Sequence, residues 1–472
     1  MSIASARTRP LANRLLFPAL PADAPLPPLV GSPELSAELY DFIALALRAY
    51  VVPWWSKISR YDKQFLPEIT RILAAVVRQL DARVQAVPLA PLLLFHVPAI
   101  LTQHYRDYRN AHHKLSTSYA SGGAASLPQL FHQLQPHMAV SADGRLDTEY
   151  FRQVVDHILK VCLPEEDYQP DAERFIVREV VLKVLLVDVV PKITQPWFIQ
   201  KSILDLLQLQ DQPPEPPRSP SPPSTNAFSF HTIIVLVLSA IQAISGACLA
   251  LIHAYKQMVS TIKRVNELQP ATSPNSTFPS FPPRHYVQPP LTMLSEIFIL
   301  QERAASSILL TTTRLLAGFS YSFLDRLLPH LIKSQLSPAF ILSTTRTAKR
   351  TLFPNGYPGP PPIEPTPEEQ AEIRARLVAW RPSGALGKRL LPLLLGPDPS
   401  KTLDAALAPL SSAPCNVHLV LFLLDLVVLE LFPELALPPG GEPVHGHGGS
   451  SSVGSGSMGR DVDSIQSESE KS

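Results

Sequence analysis

The chain has 472 residues, enough for two domains with linkers. Lys and Arg total 41 against 40 Asp and Glu, so there is no global basic field to hold nucleic acid, and no nucleic-acid partner is expected. The three cysteines, Cys162, Cys248 and Cys415, are too far apart for a metal knuckle or a disulfide framework, which suits a reducing compartment.

Proline, 51 residues in all, divides the chain into segments. Residues 1–31 read as a Pro-rich disordered lead; Pro18 and Pro21 break its apolar run, so no secretory signal is read there. Ser32 followed by Pro33 is an N-cap with proline at the first helical position. Leu35, Leu39, Phe42, Ile43, Ala46, Leu47 and Tyr50 then fall on one face of a 3.6-residue period. A second helix is predicted from Phe65, Ile69, Ile72, Leu73, Val76, Val77, Leu80 and Val84, and a third from Tyr150, Phe151, Val154, Val155, Ile158 and Leu159. From Phe175 to Val190 the chain is apolar nearly all round, which predicts a helix buried on most sides. Residues 32–210 therefore form one helical domain, and PPEPPRSPSPP makes 211–227 a stiff linker.

Within 228–265 lies TIIVLVLSAIQAISGACLALI, Thr232 to Ile252, with Leu236 and Ile241 near its middle and no charge. At about 21 residues it has the length a helix needs to cross a hydrocarbon core. It is either a membrane anchor or a buried core helix. A second Pro/Ser linker occupies 266–287. A second helical block, 288–437, contains Thr366-Pro367-Glu368-Glu369, a capping box predicted to open a helix that stops before Pro382. Val417 to Phe432 is a buried helix, or a membrane-seeking segment too short and charged to span comfortably. The Gly/Ser/His tail, 438–472, has no apolar period and is expected to be disordered. No alternating strand run is found, so the fold class is all-α.

Residues along both blocks carry a resemblance. The first holds Trp54-Trp55, Lys57-Ile58-Ser59, Phe65, Arg83, His104-Tyr105-Arg106, Tyr150-Phe151-Arg152, Leu163-Pro164, Arg178-Glu179, Val190-Pro191 and Gln195-Pro196-Trp197-Phe198-Ile199. Their order resembles the PX-associated (PXA) domain of the sorting nexins that also carry RGS domains. The second block, with Leu352-Phe353-Pro354-Asn355-Gly356, Asn416-Val417-His418-Leu419 and Leu431-Phe432-Pro433-Glu434-Leu435, is similar to their C-terminal nexin domain. No room is read for a PX or RGS domain between the halves, so phosphoinositide recognition through a PX domain is not implied.

The resemblance implies two blocks packed on each other around an apolar cavity. It also implies a role in lipid handling and tethering at the endoplasmic reticulum, endosome or vacuole, and lipid droplets. The candidate cavity residues are Val181, Leu185, Val189, Leu421, Leu424 and Val428, on helices whose apolar circumference suits either an acyl chain or an ordinary core. A single crossing by 232–252 conflicts with such packing, because it would separate the blocks across the bilayer. Tyr105, Arg106 and Arg109 suit lipid headgroups, or else form a solvated helix face.

No G-x-S-x-G, H-E-x-x-H or Walker loop occurs, and no enzyme, cofactor or metal is expected. The function expected is that of a membrane-associated, sorting-nexin-like protein. It would bind a phospholipid or fatty acyl chain and work with trafficking proteins on cytosolic-facing membranes. The alternative is a soluble helical interaction scaffold in vesicle traffic.

Overall fold

The computed structural model describes residues 10–210 and 285–436, apart from 22–23, 60–61, 63, 119–120, 360–363 and 383–390, together with the isolated positions 256, 259, 260 and 263. The membrane-segment candidates Thr232, Leu236, Ile241 and Ile252 lie outside the described residues, as do most of both linkers and the tail. Among the described residues every regular element is helical, and the only extended pairing is one bridge between Val140 and Leu146. The fold is all-α.

The first block runs α1 (Leu11–Leu15), α2 (Pro33–Ala46), α3 (Val52–Ile58), α4 (Phe65–Ala86), α5 (Val97–Lys114), α6 (Leu127–Leu134), α7 (Thr148–Cys162), α8 (Asp171–Lys183) and α9 (Pro196–Gln210). The second runs α10 (Gln288–Ile297), α11 (Ala304–Phe319), α12 (Tyr321–Gln335), α13 (Pro338–Leu352), α14 (Pro367–Ala379), α15 (Pro399–Leu407) and α16 (Ala413–Leu431). The local start signals form as their chemistry requires. Ser32 Oγ accepts from the Leu35 amide at 3.4 Å, and Thr366 and Glu369 exchange both capping-box bonds, at 3.3 and 2.8 Å.

Three π-helical turns, Leu47–Val51, Leu92–His96 and Val184–Val189, each run directly into a Val-Pro pair: Val52-Pro53, Val97-Pro98 and Val190-Pro191. Proline has no amide proton and its ring crowds the carbonyl four residues back. The wider turn accommodates both faults without ending the helix.

Part of the expected lead is folded. Ala12, Leu16 and Leu29 are buried against Tyr40, Ala44, Leu47 and Ala74, and the Phe17 and Tyr40 rings meet edge-on at 5.1 Å. Proline removes backbone donors but does not prevent the leucines and phenylalanine between prolines from packing. The 175–190 segment also departs from expectation. Leu182 is buried, but Phe175, Ile176, Val177, Val180, Val184 and Val187 are exposed.

The two blocks share one interior. Leu421 of α16 is fully buried in a cluster with Phe151, Val155 and Leu159 of α7 and Leu182 of α8. Asn416 donates across the joint to the Thr194 carbonyl, and also to the Leu410 carbonyl, at 3.0 Å each. The far end of α16 is fastened by Arg83 of α4, which donates to the Leu431 carbonyl at 2.7 Å and pairs with Glu434 at 2.8 Å. Gly144, at φ +77°, lets its loop approach the start of α16, where an added Cβ would stand 2.7 Å from Pro414 Cβ. Elsewhere α13 lies on α2 through Lys349 and Glu38, and α14 lies on α9 through Leu377 and Leu204, with Leu407 of α15 in the same cluster.

Candidate functional site

The site begins with α5, which serves as a platform for α10. Arg109 donates from Nη1 to the Glu296 carbonyl at 2.6 Å and to Glu296 Oε1 at 2.9 Å, and from Nη2 to the Ile297 carbonyl at 3.1 Å. These carbonyls end α10, where a cation also meets the negative end of the helix dipole. Arg106 reaches Glu296 Oε2 at 3.0 Å, and the Tyr105 hydroxyl donates to the Ala406 carbonyl at 3.0 Å. Burial pushes the Tyr105 phenol upward. The three headgroup candidates are thus engaged within the protein, with Tyr105 buried and Arg109 mostly covered. Arg109→Ala should leave a carboxylate and two carbonyls poorly satisfied and cost about 2 kcal/mol. Urea midpoints would measure this, and an unchanged midpoint would show that the clamp is energetically idle.

With α10 clamped at its end, its start is held by α12. The Asp325 carboxylate accepts from the His285 and Tyr286 amides at 3.1 and 2.9 Å. Between α10, α11 and α12 an apolar groove of ≈ 550 Å³ remains, lined by Leu94, Pro290, Leu291, Leu316, Phe323, Leu324 and Leu328 among others. Only Thr313 and Ser320 bring polar side chains to it. Its volume is in the range of small-molecule sites. Sequence reading missed these residues. The signal was present in 304–335, where apolar residues occupy more of each helix than one core-facing stripe.

The cavity candidates lie elsewhere. Leu421 is in the shared core, with Val181, Leu185 and Leu424 packed partly against it. Val189 is exposed and Val428 half-buried. The apolar circumference of α16 has a local cause, because its first half is enclosed by both blocks while Val427 and Leu429 reach the surface. α16 is long and apolar enough to cross a membrane, yet Cys415 to Leu419 and Leu421 are buried in the fold. A second cleft, ≈ 830 Å³ between α9 and α14, mixes Lys192, Lys201 and Arg376 with Asp205, Glu364 and Glu372, and matches no single ligand charge.

A histidine-rich seam adjoins α16. His418 Nδ1 faces the Pro414 carbonyl at 3.1 Å, so the proton resides there and Nε2 accepts from His132 Nδ1 at 3.0 Å. His137 Nε2 meets Asp425 Oδ2 at 2.7 Å, and Tyr150 donates to the other oxygen at 2.8 Å. His104 is fully enclosed, with Nε2 at 3.3 Å from the Pro409 carbonyl. Among the described residues no group of three or more His, Cys, Asp or Glu could hold a metal ion.

Comparison with known proteins matches residues 32–206 to the PXA domain. The chain is 29% identical to "PXA domain protein 1" of Schizosaccharomyces pombe over 146 residues, 31% of this chain and 29% of that protein. It is 23% identical to "Sorting nexin-13" of Homo sapiens over 189 residues, 38% of this chain and 19% of that protein. The mouse sorting nexin-13 is 22% identical, with 20% of its length covered. No solved structure matches the chain. The chain thus spans less than a third of the length of these relatives. Residues 32–206 thus match the PXA domain, and over this first block the chain is similar to these PXA-domain and sorting-nexin relatives.

Proposed function

We propose that this protein is a membrane-associated, lipid-binding helical module that serves membrane trafficking. The reading rests on the apolar groove between α10, α11 and α12, which is nearly free of polar lining and open to a chain-like ligand. Burying methylene groups there yields about 0.8 kcal/mol each, enough for part of an acyl chain to offset the entropy of ordering it. The trafficking part is supported by the sorting-nexin relatives. The resemblance favours endosomal or endoplasmic-reticulum membranes. Two blocks interlocked on one core stay on the same side of any bilayer the chain meets, so the 232–252 segment would act without parting them.

Leu291→Trp and Leu324→Trp fill the groove without adding charge. Each should reduce uptake of a fluorescent fatty acid by about tenfold, through loss of the volume that takes ~2 methylene groups. Circular dichroism controls for folding. Unchanged uptake in both folded variants would remove the groove as the lipid site.

A further inference from the structure

We infer that α11, α12 and α13 form a face that docks on an anionic phospholipid bilayer. Three observations carry it. First, α11 is buried on one side and apolar on the opposite one. Ser306 and Leu310 point inward and are buried, while Ile308, Leu315 and Phe319 lie along the opposite stripe at i, i+7 and i+11. That outer stripe is open to solvent, with Ile308 67%, Leu315 60% and Phe319 88% exposed. A single exposed leucine is ordinary; a full stripe ending in an almost bare phenylalanine marks a surface that something covers.

Second, the exposure continues along the chain. Tyr321 and Leu331 of α12, and Phe340, Ile341 and Leu352 of α13, are also exposed. At the end of α13, Phe353 brings in Tyr50, ring to ring at 6.5 Å, and Tyr50 is exposed too. Aromatic side chains of this kind favour the headgroup level of a bilayer.

Third, the charge of this stretch is one-sided. Residues 304–352 hold six Lys or Arg, at 314, 326, 333, 346, 349 and 350, and a single acid, Asp325, in a chain that is otherwise balanced. Arg346 and Lys349 are paired with Glu38 of α2. Arg326, Lys333 and Arg350 are exposed and meet no carboxylate among the described residues. Apolar stripes with free cations beside them match an interfacial surface on anionic lipid, to which each cation adds attraction. A second copy of the chain would instead bring the same cations face to face.

The inference rests on the membrane reading above but uses different atoms, because Ile308, Leu315 and Phe319 do not line the groove. The test uses the full chain in vesicle flotation, with phosphatidylcholine alone or with equal parts phosphatidylserine. Wild type should bind the mixed vesicles more tightly by about tenfold or more, and high salt should remove the difference. Leu315→Asp/Phe319→Asp should weaken binding to both vesicles by at least tenfold, and Lys333→Glu/Arg350→Glu should abolish the preference for phosphatidylserine. Both variants should still take up the fluorescent fatty acid, which separates this face from the groove. Wild-type binding by both variants overturns the inference. So does a dimer in wild type that becomes monomeric in Leu315→Asp/Phe319→Asp with vesicle binding unchanged, since the stripe is then covered by a second copy.

Discussion

Replacing Leu421 by Asp should abolish the cooperative unfolding transition of both blocks together. Leu421 is on the second block but has no exposure, and its neighbours Phe151, Val155 and Leu182 belong to the first. A carboxylate there finds no cation. Ionised or protonated, it carries a desolvation cost of several kcal/mol on top of the lost packing. That sum approaches the roughly 5–15 kcal/mol that holds an ordinary domain folded. Leu421→Ala should be milder, at about 2–5 kcal/mol. The informative readout is limited proteolysis within α2 to α4. If those helices remain protected in Leu421→Asp while 288–436 is degraded, the first block folds alone and the shared core is not required. By the same reasoning, the first block expressed without the second should aggregate, and co-expression should restore a single soluble species.

Acidification should produce the second large effect. Burial lowers both His104 and His418 to about 4, whereas an imidazole in the unfolded chain titrates near 6.5. Between these values the unfolded state binds more protons, so stability rises with pH across the window. It is fully present above about pH 6.5 and lost as pH falls toward 4, by an upper limit of ~3 kcal/mol for each histidine. The groups facing His418 are His132 and, farther along the seam, His137; His132 already donates to it, so a proton added to His418 also removes that bond. His104 faces the Pro409 carbonyl, the like-charging His418 and the Phe131 ring. Unfolding free energies from urea titrations at pH 7.5 and 5 should differ by several kcal/mol in wild type and by clearly less in His418→Gln. Equal pH slopes in the two proteins would assign the acid sensitivity to other groups.

What could be read from the sequence was local. Ser32-Pro33 and Thr366-Pro367 specify helix starts through atoms three residues apart, and both form their predicted bonds. The periodic runs at 65–84 and 150–159 became α4 and α7 because one apolar stripe suffices to place a helix. What depended on distant partners was not legible. Arg109 looked like a surface cation because its partner, Glu296, is 187 residues away. The stretch at 10–31 was assigned by its prolines, while the residues that bury its leucines belong to α2 and α4. For α8 and α16, composition could report an apolar circumference but not which arc another helix would cover. The groove was hidden for a related reason: a cavity is defined by where three helices fail to meet, and periodicity describes one helix at a time.

The three wide turns before Val-Pro have a consequence for how the chain tolerates length change. Each one places an extra residue in an otherwise continuous helix, which advances every later side chain by about 100°. Downstream of Leu92–His96 that offset sets the azimuth at which α5 presents Tyr105 to α15 and Arg109 to α10. Loss of one residue from the turn would restore an ordinary helix and swing both side chains to a wrong meridian, though no contact residue had been altered. The length of these turns, rather than their composition, is therefore what descent with insertion or deletion has to preserve.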